Sequence, residues 1–180
     1  MDTTSRSPKP SLPATPSDTS FFHFPGPLGG LTVHVSPHGL RCIVLLPEGA
    51  QAETAASQSD DPLVQAIHAE LDRYFAGKPV DFADVPLDLD GHTPFRRAVW
   101  DAAARRVPWG ETESYGGLSR ALGRSNRAAV AVGQALAANP IPIVIPCHRI
   151  LGAGGKLTGF SGGLEWKRRL LALEGIRIEE

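Results

Sequence analysis

Cysteine is scarce in this sequence. Only Cys42 and Cys147 are present, far apart, and such a pair does not make a disulfide framework. Long apolar runs are also lacking, since none approaches the roughly 20 residues that a membrane-spanning helix requires. The first residues show neither the basic nor the apolar region of a signal peptide. We therefore expect reduced thiols and a cytoplasmic protein, or a nuclear one in a eukaryote.

Net charge is almost absent, at -1 for 180 residues, but the charges are unevenly distributed. Residues 1–90 contain 5 Lys and Arg against 12 Asp and Glu, whereas residues 91–180 contain 13 against 7. A basic half is typical of proteins that bind a polyanion such as nucleic acid. A dipolar protein without such a partner has the same pattern, so charge alone leaves both interpretations open.

The chain divides by composition into a tail and two domains. Residues 1–20 are mostly Ser, Thr and Pro, which predicts a disordered tail. The sequence changes character near Gly91. We therefore expect an N-terminal domain at residues 21–91 and a C-terminal domain at residues 92–180.

The N-terminal domain is expected to combine strands with a helix. Residues 29–49 contain two β-rich runs around a Pro-His-Gly turn, which predict a hairpin with Cys42 buried in its second strand. Residues 61–80 are predicted to form a helix that Asp61 caps. Residues 81–94 are predicted to form a strand and a linker. The inward face of the helix is expected to comprise Leu63, Ile67, Leu71 and Phe75.

Three helices are predicted in the first part of the C-terminal domain. They span residues 93–107, 113–123 and 125–139. Thr93 is the candidate N-cap of the first helix. Its inward face is expected to comprise Phe95, Val99 and Ala103.

The second and third of these helices lie on either side of a glycine. Gly123 ends one, Ser125 is expected to cap the other, and Asn139 ends it. Two short helices around a glycine turn are typical of a DNA-binding helix-turn-helix, and also of a simple packing unit. The last helix is thin, because seven of its positions hold alanine or glycine. Arg124 and Arg127 near its start could reach DNA phosphates.

Cys147 lies in an unusual setting. It follows an apolar run that contains Pro142 and Pro146, which exclude a helix and predict a rigid extended segment. His148 comes next, and a nearby imidazole can take the thiol proton, through a turn or a bridging water, and stabilise the reactive thiolate. A structural Cys-His pair is the alternative. Six glycines within residues 152–163 predict a loop that can approach a ligand closely.

Glu174 ends the last predicted helix, where its charge opposes the helix macrodipole. The carboxylate therefore requires a compensating partner, such as a cationic histidine, unless it is a solvated surface group. The histidines and cysteines show no metal-ligand spacing, so we predict no metal site and no cofactor.

Residues 93–175 resemble the O6-alkylguanine-DNA alkyltransferases, also called methylated-DNA–protein-cysteine methyltransferases. The resemblance rests on the motif SYGGLSRALG at residues 114–123 and on residues 127–175, which contain Pro-Cys-His-Arg with its flanking segments in order. Residues 20–90 are similar to the family only in length and in strand-then-helix order. The resemblance implies an α/β N-terminal domain with a small ribonuclease H-like sheet plus a helix. An α-helical C-terminal domain with a winged helix-turn-helix would follow.

The resemblance implies a role for each residue of the site. Family members flip an O6-alkylated guanine out of duplex DNA and transfer its alkyl group to a cysteine, once per molecule. Cys147 is then the nucleophile, His148 the base that acts through a water, and Glu174 the residue that holds this base. Asn139 fixes the turn before the active-site loop. Tyr115 helps to unstack the base and donates a hydrogen bond as guanine leaves.

The resemblance also implies binding residues on a monomeric protein. The recognition helix is expected to enter the minor groove of double-stranded DNA, where alanines let it fit. The guanine edge is expected to meet the backbones of Cys147 and Ile150, together with Ser161. The other expected pocket residues are Gly159 and Phe160. The expected DNA contacts are Arg96, Tyr115, Arg124, Ser125, Arg127, Ala128, Ala129 and Val130.

Two residues depart from the family pattern. Val130 lies where the family usually has an arginine that fills the gap left by the flipped base. Valine can wedge there but cannot hydrogen-bond the orphaned cytosine, so we expect a less stable flipped state unless Arg127 or Arg124 compensates. Phe160 lies where many members have tyrosine, so the stacking face is kept and a hydroxyl is lost.

Two other classes of function stay open at this point. Relatives without the cysteine bind alkylated DNA and do not repair it; Cys147 argues against this class, whereas Val130 leaves room for it. A cysteine hydrolase would need turnover and an oxyanion hole, and it would give the basic helix-turn-helix no purpose. Turnover of an ester substrate separates the hydrolase from the alkyltransferase.

Overall fold

The structure is a computed structural model that describes residues 20–26, 29–47 and 60–178. The predicted disordered tail lies outside the described residues except for Ser20, which begins the first strand instead. Among the described residues, no helix is long and apolar enough to cross a membrane.

The N-terminal part is a three-stranded antiparallel sheet. Its strands are β1 (Ser20–Gly26), β2 (Gly29–Ser36) and β3 (Gly39–Leu45), in that order across the sheet. The β2–β3 hairpin confirms the prediction, and Cys42 is buried in β3 opposite His34. Strand β1 was not predicted; it ends in Pro25 and Gly26, residues that are typical of a loop. The inward side chains of β2 alternate as expected, and these are Leu31, Val33 and Val35.

Helix α1 (Pro62–Phe75) packs on this sheet. Asp61 caps it as predicted, since its Oδ1 accepts a hydrogen bond from the Leu63 nitrogen at 2.8 Å. The buried face is rotated from the predicted one, because Leu63 and Phe75 are only partly buried. The buried side chains of α1 are Val64, Ile67, Leu71 and Tyr74.

The strand predicted within residues 81–94 is wrong. Only a single bridge forms there, between Leu87 and Leu40 at the edge of β3. Pro86 precedes it and has no backbone N–H to continue a ladder. The segment is held instead by Asp88, whose Oδ2 accepts a hydrogen bond from Arg41 at 2.7 Å.

Helix α2 (Pro94–Arg106) begins at the predicted cap, where Thr93 Oγ1 accepts a hydrogen bond from the Arg96 nitrogen at 3.3 Å. Val99 and Ala103 are fully buried as expected, and Phe95 is partly buried. The next two helices of the domain both pack against α2.

Helices α3 (Tyr115–Ala121) and α4 (Ala129–Ala137) follow, and Gly123 turns the chain between them with a φ of +69°. The third predicted helix is shorter than expected, because a 3-10 turn at Asn126–Ala128 precedes α4. The predicted Ser125 cap is wrong: its side chain makes no capping hydrogen bond, and its carbonyl accepts one from Ser119 Oγ at 2.8 Å.

The segment before Cys147 is not extended, contrary to prediction. Ile143 has a φ of +78°, and the Ile145 nitrogen donates to the Ile141 oxygen at 2.9 Å, so the chain forms a tight turn. Prolines exclude a helix but permit this turn, and burial of residues 141–151 stabilises it.

The short strand β5 (Ile150–Leu151) follows the turn and pairs in parallel with β4 (Glu113–Ser114). Helix α5 (Leu164–Leu173) is the last element of the domain.

Candidate active site

Cys147 begins a 3-10 turn, Cys147–Arg149, directly after the tight turn, and its side chain is buried. Asn139 fixes the thiol in place, since its Nδ2 donates to Cys147 Sγ at 3.1 Å and to the Ile145 oxygen at 2.9 Å. Its Oδ1 accepts from the Ile141 nitrogen at 2.9 Å. One amide therefore links both ends of the turn to the sulfur.

The thiol does not ionise by itself in this setting. Burial raises the pKa of Cys147 to about 11, although the Asn139 hydrogen bond and the Lys167 charge oppose the rise. At neutral pH the group is a thiol, so any nucleophilic chemistry requires a base to take its proton.

His148 is fully buried beside this thiol in the chain. Its Nε2 lies 2.8 Å from Glu174 Oε1, whereas Nδ1 has no hydrogen-bond partner among the described residues. Burial lowers the pKa of His148, and the Glu174 carboxylate only partly offsets that effect. The imidazole is therefore neutral near pH 7 and can accept a proton.

Glu174 is buried at the end of α5, so the solvated alternative is wrong. Its permanent counter-charge is Arg149, whose Nε donates to Oε2 at 2.8 Å and whose Nη2 donates to Oε1 at 3.0 Å. Burial alone would raise the pKa of Glu174, but the hydrogen bonds from His148 and Arg149 and the Arg149 charge lower it to about 2. The carboxylate is ionised, and arginine rather than a cationic histidine balances it.

Lys167 is a buried cation that sequence reasoning did not single out. Its Nζ donates to the Ile150 oxygen at 2.6 Å and to the Thr158 oxygen at 3.0 Å. Burial lowers its pKa to about 8, and its charge in turn favours ionisation of the Cys147 thiol. Lys167 therefore ties β5 to the glycine-rich loop and supplies positive charge near the sulfur.

Two of the predicted site residues, Ile150 and Tyr115, lie next to this lysine. The Tyr115 ring centre is 5.9 Å from Lys167 Nζ, and its hydroxyl accepts a hydrogen bond from Thr158 at 3.4 Å. Ile150 is buried and Phe160 is partly buried against the core. The remaining two predicted pocket residues, Gly159 and Ser161, are exposed.

The predicted DNA contacts lie mainly on the exposed surface of α2, α3, α4 and the turn before α4. Val130 is exposed to solvent, with 72% of its surface accessible. The Arg124 guanidinium lies 4.7 Å from the centre of the Phe95 ring. Arg96, Arg127 and Ser125 are exposed. Ala128 and Ala129 are partly buried.

The structure thus joins four predicted residues in two contacts, Asn139 with Cys147 and His148 with Glu174. Sequence reasoning missed Tyr74, whose hydroxyl donates to Glu174 Oε1 at 2.6 Å. The helical spacing could have placed Tyr74 on the buried face of α1, because Ile67, Leu71 and Tyr74 recur at i, i+4 and i+7. Likewise Lys167 shares a helical stripe with its buried neighbours Leu170, Leu171 and Glu174.

No group of three metal-ligating side chains exists within residues 20–26, 29–47 and 60–178. The arrangement instead combines a buried thiol, a neutral imidazole with one unpaired nitrogen, and an ionised carboxylate. Such a set can deprotonate the thiol and use it as a nucleophile.

Comparison with known proteins gives consistent results for both halves of the chain. Residues 23–89 match the ribonuclease-like domain of 6-O-methylguanine DNA methyltransferase, and residues 94–176 match its DNA-binding domain. A DNA base-flipping protein of Thermus thermophilus is 44% identical over 84% of this chain and 97% of its own length. A methylated-DNA–protein-cysteine methyltransferase of Haemophilus influenzae is 40% identical over 87% of this chain and 86% of its own.

Solved structures agree with the sequence matches. The crystal structure of Mycobacterium tuberculosis OGT in complex with DNA is 40% identical and has a TM-score of 0.71, covering 86% of this chain and 91% of that one. The shared architecture is a small N-terminal sheet domain followed by a helical DNA-binding domain. On these grounds the chain belongs to the 6-O-methylguanine DNA methyltransferase family.

Proposed function

We propose that this protein repairs DNA by direct reversal, transferring the alkyl group of an O6-alkylguanine to Cys147. The observation that carries the proposal is the thiol held by Asn139 next to the buried His148–Glu174 pair. A relative from Haemophilus influenzae bears the name methylated-DNA–protein-cysteine methyltransferase. The reaction requires neither a metal nor a cofactor.

The chemical step is one substitution at carbon. His148 accepts the thiol proton through a water at Nδ1, and the Cys147 thiolate attacks the alkyl carbon. The carbon–sulfur bond forms as the carbon–O6 bond breaks, and the guanine that leaves takes up a proton. Tyr115 stabilises the departing base by a hydrogen bond. Because the thioether is stable, the alkyl group stays on the protein and each molecule reacts once.

DNA is proposed to bind in its minor groove, on the exposed side of α4. Helices α3 and α4 would form the helix-turn-helix, with the β4–β5 pair beside it as a wing. The thin α4 suits a narrow groove, and the exposed arginines Arg96 and Arg127 suit phosphates. The base would be flipped into the pocket formed by Ile150, Gly159, Phe160 and Ser161, because O6 is unreachable within the stack.

We also propose a domain architecture for this protein. We assign residues 21–91 to a ribonuclease H-like domain and residues 92–180 to a winged helix-turn-helix domain. We also assign a monomer in the cytoplasm, or in the nucleus of a eukaryote, where both cysteines stay reduced.

Stoichiometry tests this function directly. Mixed with an excess of duplex DNA that carries O6-methylguanine, the protein is expected to restore guanine until the yield reaches one per chain, because the alkylated cysteine is not regenerated. The measurement is the guanine content of digested DNA as a function of protein added. Yields that continue to rise with time would contradict single-turnover transfer and support a hydrolase.

A second candidate function is recognition of damaged DNA without repair. The relative named DNA base-flipping protein, 44% identical to this chain, supports this alternative, as does the apolar Val130 at the position of the usual arginine. Tight lesion binding with no restored guanine would select it.

Replacing Val130 with arginine is expected to strengthen binding to lesion DNA and to accelerate repair. The reason is that arginine can hydrogen-bond the cytosine left by the flipped guanine, which valine cannot do; one such bond to a charged group contributes about 1.5–3 kcal/mol. Arg124 is already stacked on Phe95, so it does not readily take over this role. Fluorescence anisotropy with lesion duplexes and quenched-flow repair assays measure the two quantities.

The control for this variant is Ala69→Arg, which adds the same charge at an exposed position of α1. The control should leave the preference for lesion over undamaged DNA unchanged, whereas Val130→Arg should raise it. Equal affinity and repair rate in Val130→Arg and the unmodified protein would refute the proposed role of this position.

A further inference from the structure

Tyr74, from the N-terminal half of the chain, contacts the candidate active site. It belongs to α1, is fully buried, and its hydroxyl donates to Glu174 Oε1 at 2.6 Å. The Tyr74 hydroxyl oxygen also lies 3.4 Å from His148 Nε2. The 2.6 Å distance between the Tyr74 hydroxyl and the Glu174 carboxylate is typical of a charge-assisted hydrogen bond. The N-terminal half of the chain therefore reaches the His148–Glu174 pair through one phenol.

The hydrogen bonds of Glu174 determine which nitrogen of His148 carries the proton. Oε1 accepts from Tyr74, Arg149 and His148, while Oε2 accepts from Arg149. Because the carboxylate is ionised, it can only accept, so Nε2 of His148 must be the protonated nitrogen. Nδ1 then carries the lone pair, and it has no hydrogen-bond partner among the described residues.

We propose that Tyr74 is a positioning residue for the reaction: it holds the Glu174 carboxylate in the orientation that keeps His148 in the Nε2–H tautomer, with Nδ1 as the acceptor for the thiol proton. This proposal rests on alkyl transfer by Cys147 as the function. Without the phenol, only residues of the C-terminal half would orient the carboxylate. The role assigned to Tyr74 thus makes the N-terminal half part of the catalytic arrangement.

A purely structural role for Tyr74 can be separated from this one. Its ring packs against Phe75, Phe82 and Trp109, with centroids 5.4, 5.9 and 5.1 Å away. Phenylalanine at this position keeps all three ring contacts and removes only the hydroxyl. Tyr74→Phe therefore tests the hydrogen bond rather than the packing.

The variant should also change how His148 titrates. The charged and titratable groups around the imidazole are Glu174 and Lys167 from the last helix and its end, Arg149 and Cys147 from its own turn, and Tyr74 from α1. Arg149 and Lys167 lower the pKa of His148, whereas Glu174 raises it. Removing the phenol leaves the carboxylate less neutralised, so the pKa of His148 should rise.

The first test measures His148 directly in the free protein. Nitrogen-15 NMR of unmodified protein and Tyr74→Phe, each labelled on histidine, reports which ring nitrogen is protonated. We expect the pure Nε2–H tautomer in the unmodified protein, and a mixture with a raised pKa in the variant. Identical spectra and titration curves would overturn the proposal, whether or not the protein transfers alkyl groups.

The second test measures the rate of alkyl transfer against pH. We expect Tyr74→Phe to react about tenfold more slowly on the plateau, because a misoriented general base loses part of a contribution of about 10²–10⁴. The acidic limb should move to higher pH, since His148 acts in its neutral form. Unchanged kinetics in an active protein would overturn the proposal, whereas inactivity of the unmodified protein would refute the proposed function instead.

Two controls complete the experiment. Ser36→Ala removes another buried hydroxyl of the N-terminal half, which donates to Asp88 at 2.6 Å, and it should leave rate and pH profile unchanged. Incorporation of 3-fluorotyrosine at position 74 keeps the hydrogen bond and makes the phenol more acidic. It should move the acidic limb to lower pH, opposite to Tyr74→Phe, and a shift in the same direction would contradict the proposal.

Discussion

Replacing Cys147 with alanine is expected to abolish alkyl transfer completely while DNA binding persists. Transfer should be lost because Cys147 carries the proposed nucleophile, next to His148. Binding should persist because the Cys147 side chain is buried and is not part of the exposed face of α4. The loss of one small buried group is expected to cost only about 1 kcal/mol of stability, so the variant should fold. Transfer is measured with a radiolabelled O6-methylguanine duplex, and binding with the same duplex by gel shift.

Cys42→Ala provides the matched control, since it removes the other cysteine of the chain. That residue is buried in β3, where burial raises its pKa, and it lacks the Asn139 and His148–Glu174 arrangement of Cys147, so it is expected to remain an unreactive thiol. The control should transfer alkyl groups at the normal rate. Radiolabel on the Cys147→Ala protein, and its loss when Cys42 is also removed, would contradict the assignment of the nucleophile.

Replacing Glu174 with glutamine is expected to destabilise the protein strongly and to slow transfer. The change leaves the Arg149 guanidinium buried without its counter-charge, and breaking a buried ion pair in this way costs about 3–5 kcal/mol. For a chain of this length such a loss lowers the melting temperature on the order of 10 °C. Differential scanning calorimetry measures the first effect and single-turnover kinetics the second.

The loss of stability in Glu174→Gln should become smaller at low pH. The pKa of Glu174 is about 2 in the folded protein, against 4.5 as its ordinary value, so its stabilising contribution is fully present above about pH 4.5. The contribution is lost as the pH falls from there toward 2. The stability difference between Glu174→Gln and the unmodified protein should therefore shrink over this window.

Glu165→Gln is the control on the same helix. Glu165 makes exposed ion pairs with Arg168 and Arg169, and such pairs are expected to contribute little to stability because water screens them. Equal losses of stability in the two variants would mean that burial of the Glu174–Arg149 pair has no special effect, contrary to our account.

Much of the fold was predictable because local signals agree with tertiary packing. Asp61 and Thr93 cap their helices as expected, and the alternation of Leu31, Val33 and Val35 identified a strand. The unpredicted β1 shows the limit of such signals. Its sequence contains proline and glycine, and its strand conformation depends on pairing with β2, a contact that local propensity does not encode.

The segment before Cys147 illustrates a second limit. Its prolines excluded a helix but did not distinguish an extended chain from a tight turn. Burial and the three hydrogen bonds of Asn139 stabilise the tight turn. These hydrogen bonds reach partners up to eight residues away in the sequence. The positive φ of Ile143 is costly for a β-branched residue, so only the surrounding packing makes it tolerable.

The reactive residues of the candidate site were predicted, together with some of the residues that hold them. Cys147 and His148 are adjacent in a conspicuous motif, Glu174 stood out as an acid at a helix end, and the family resemblance supplied the roles of Glu174 and Asn139. Tyr74 lies one hundred residues from its partner Glu174, and no spacing rule connects the two. The buried cation Arg149 also escapes prediction, because charged residues in turns are usually assigned to the surface. Lys167 was missed as well, although its helical spacing relative to Leu170, Leu171 and Glu174 was a usable signal.

The most direct test of the central claim is the intact mass of the protein after it has been mixed with a duplex that carries one O6-methylguanine. Our account predicts a gain of one methyl group per chain, saturating there, with peptide mapping that assigns the group to Cys147. An unchanged mass in protein that binds the lesion tightly would contradict alkyl transfer. That result would identify a damage-recognition protein instead.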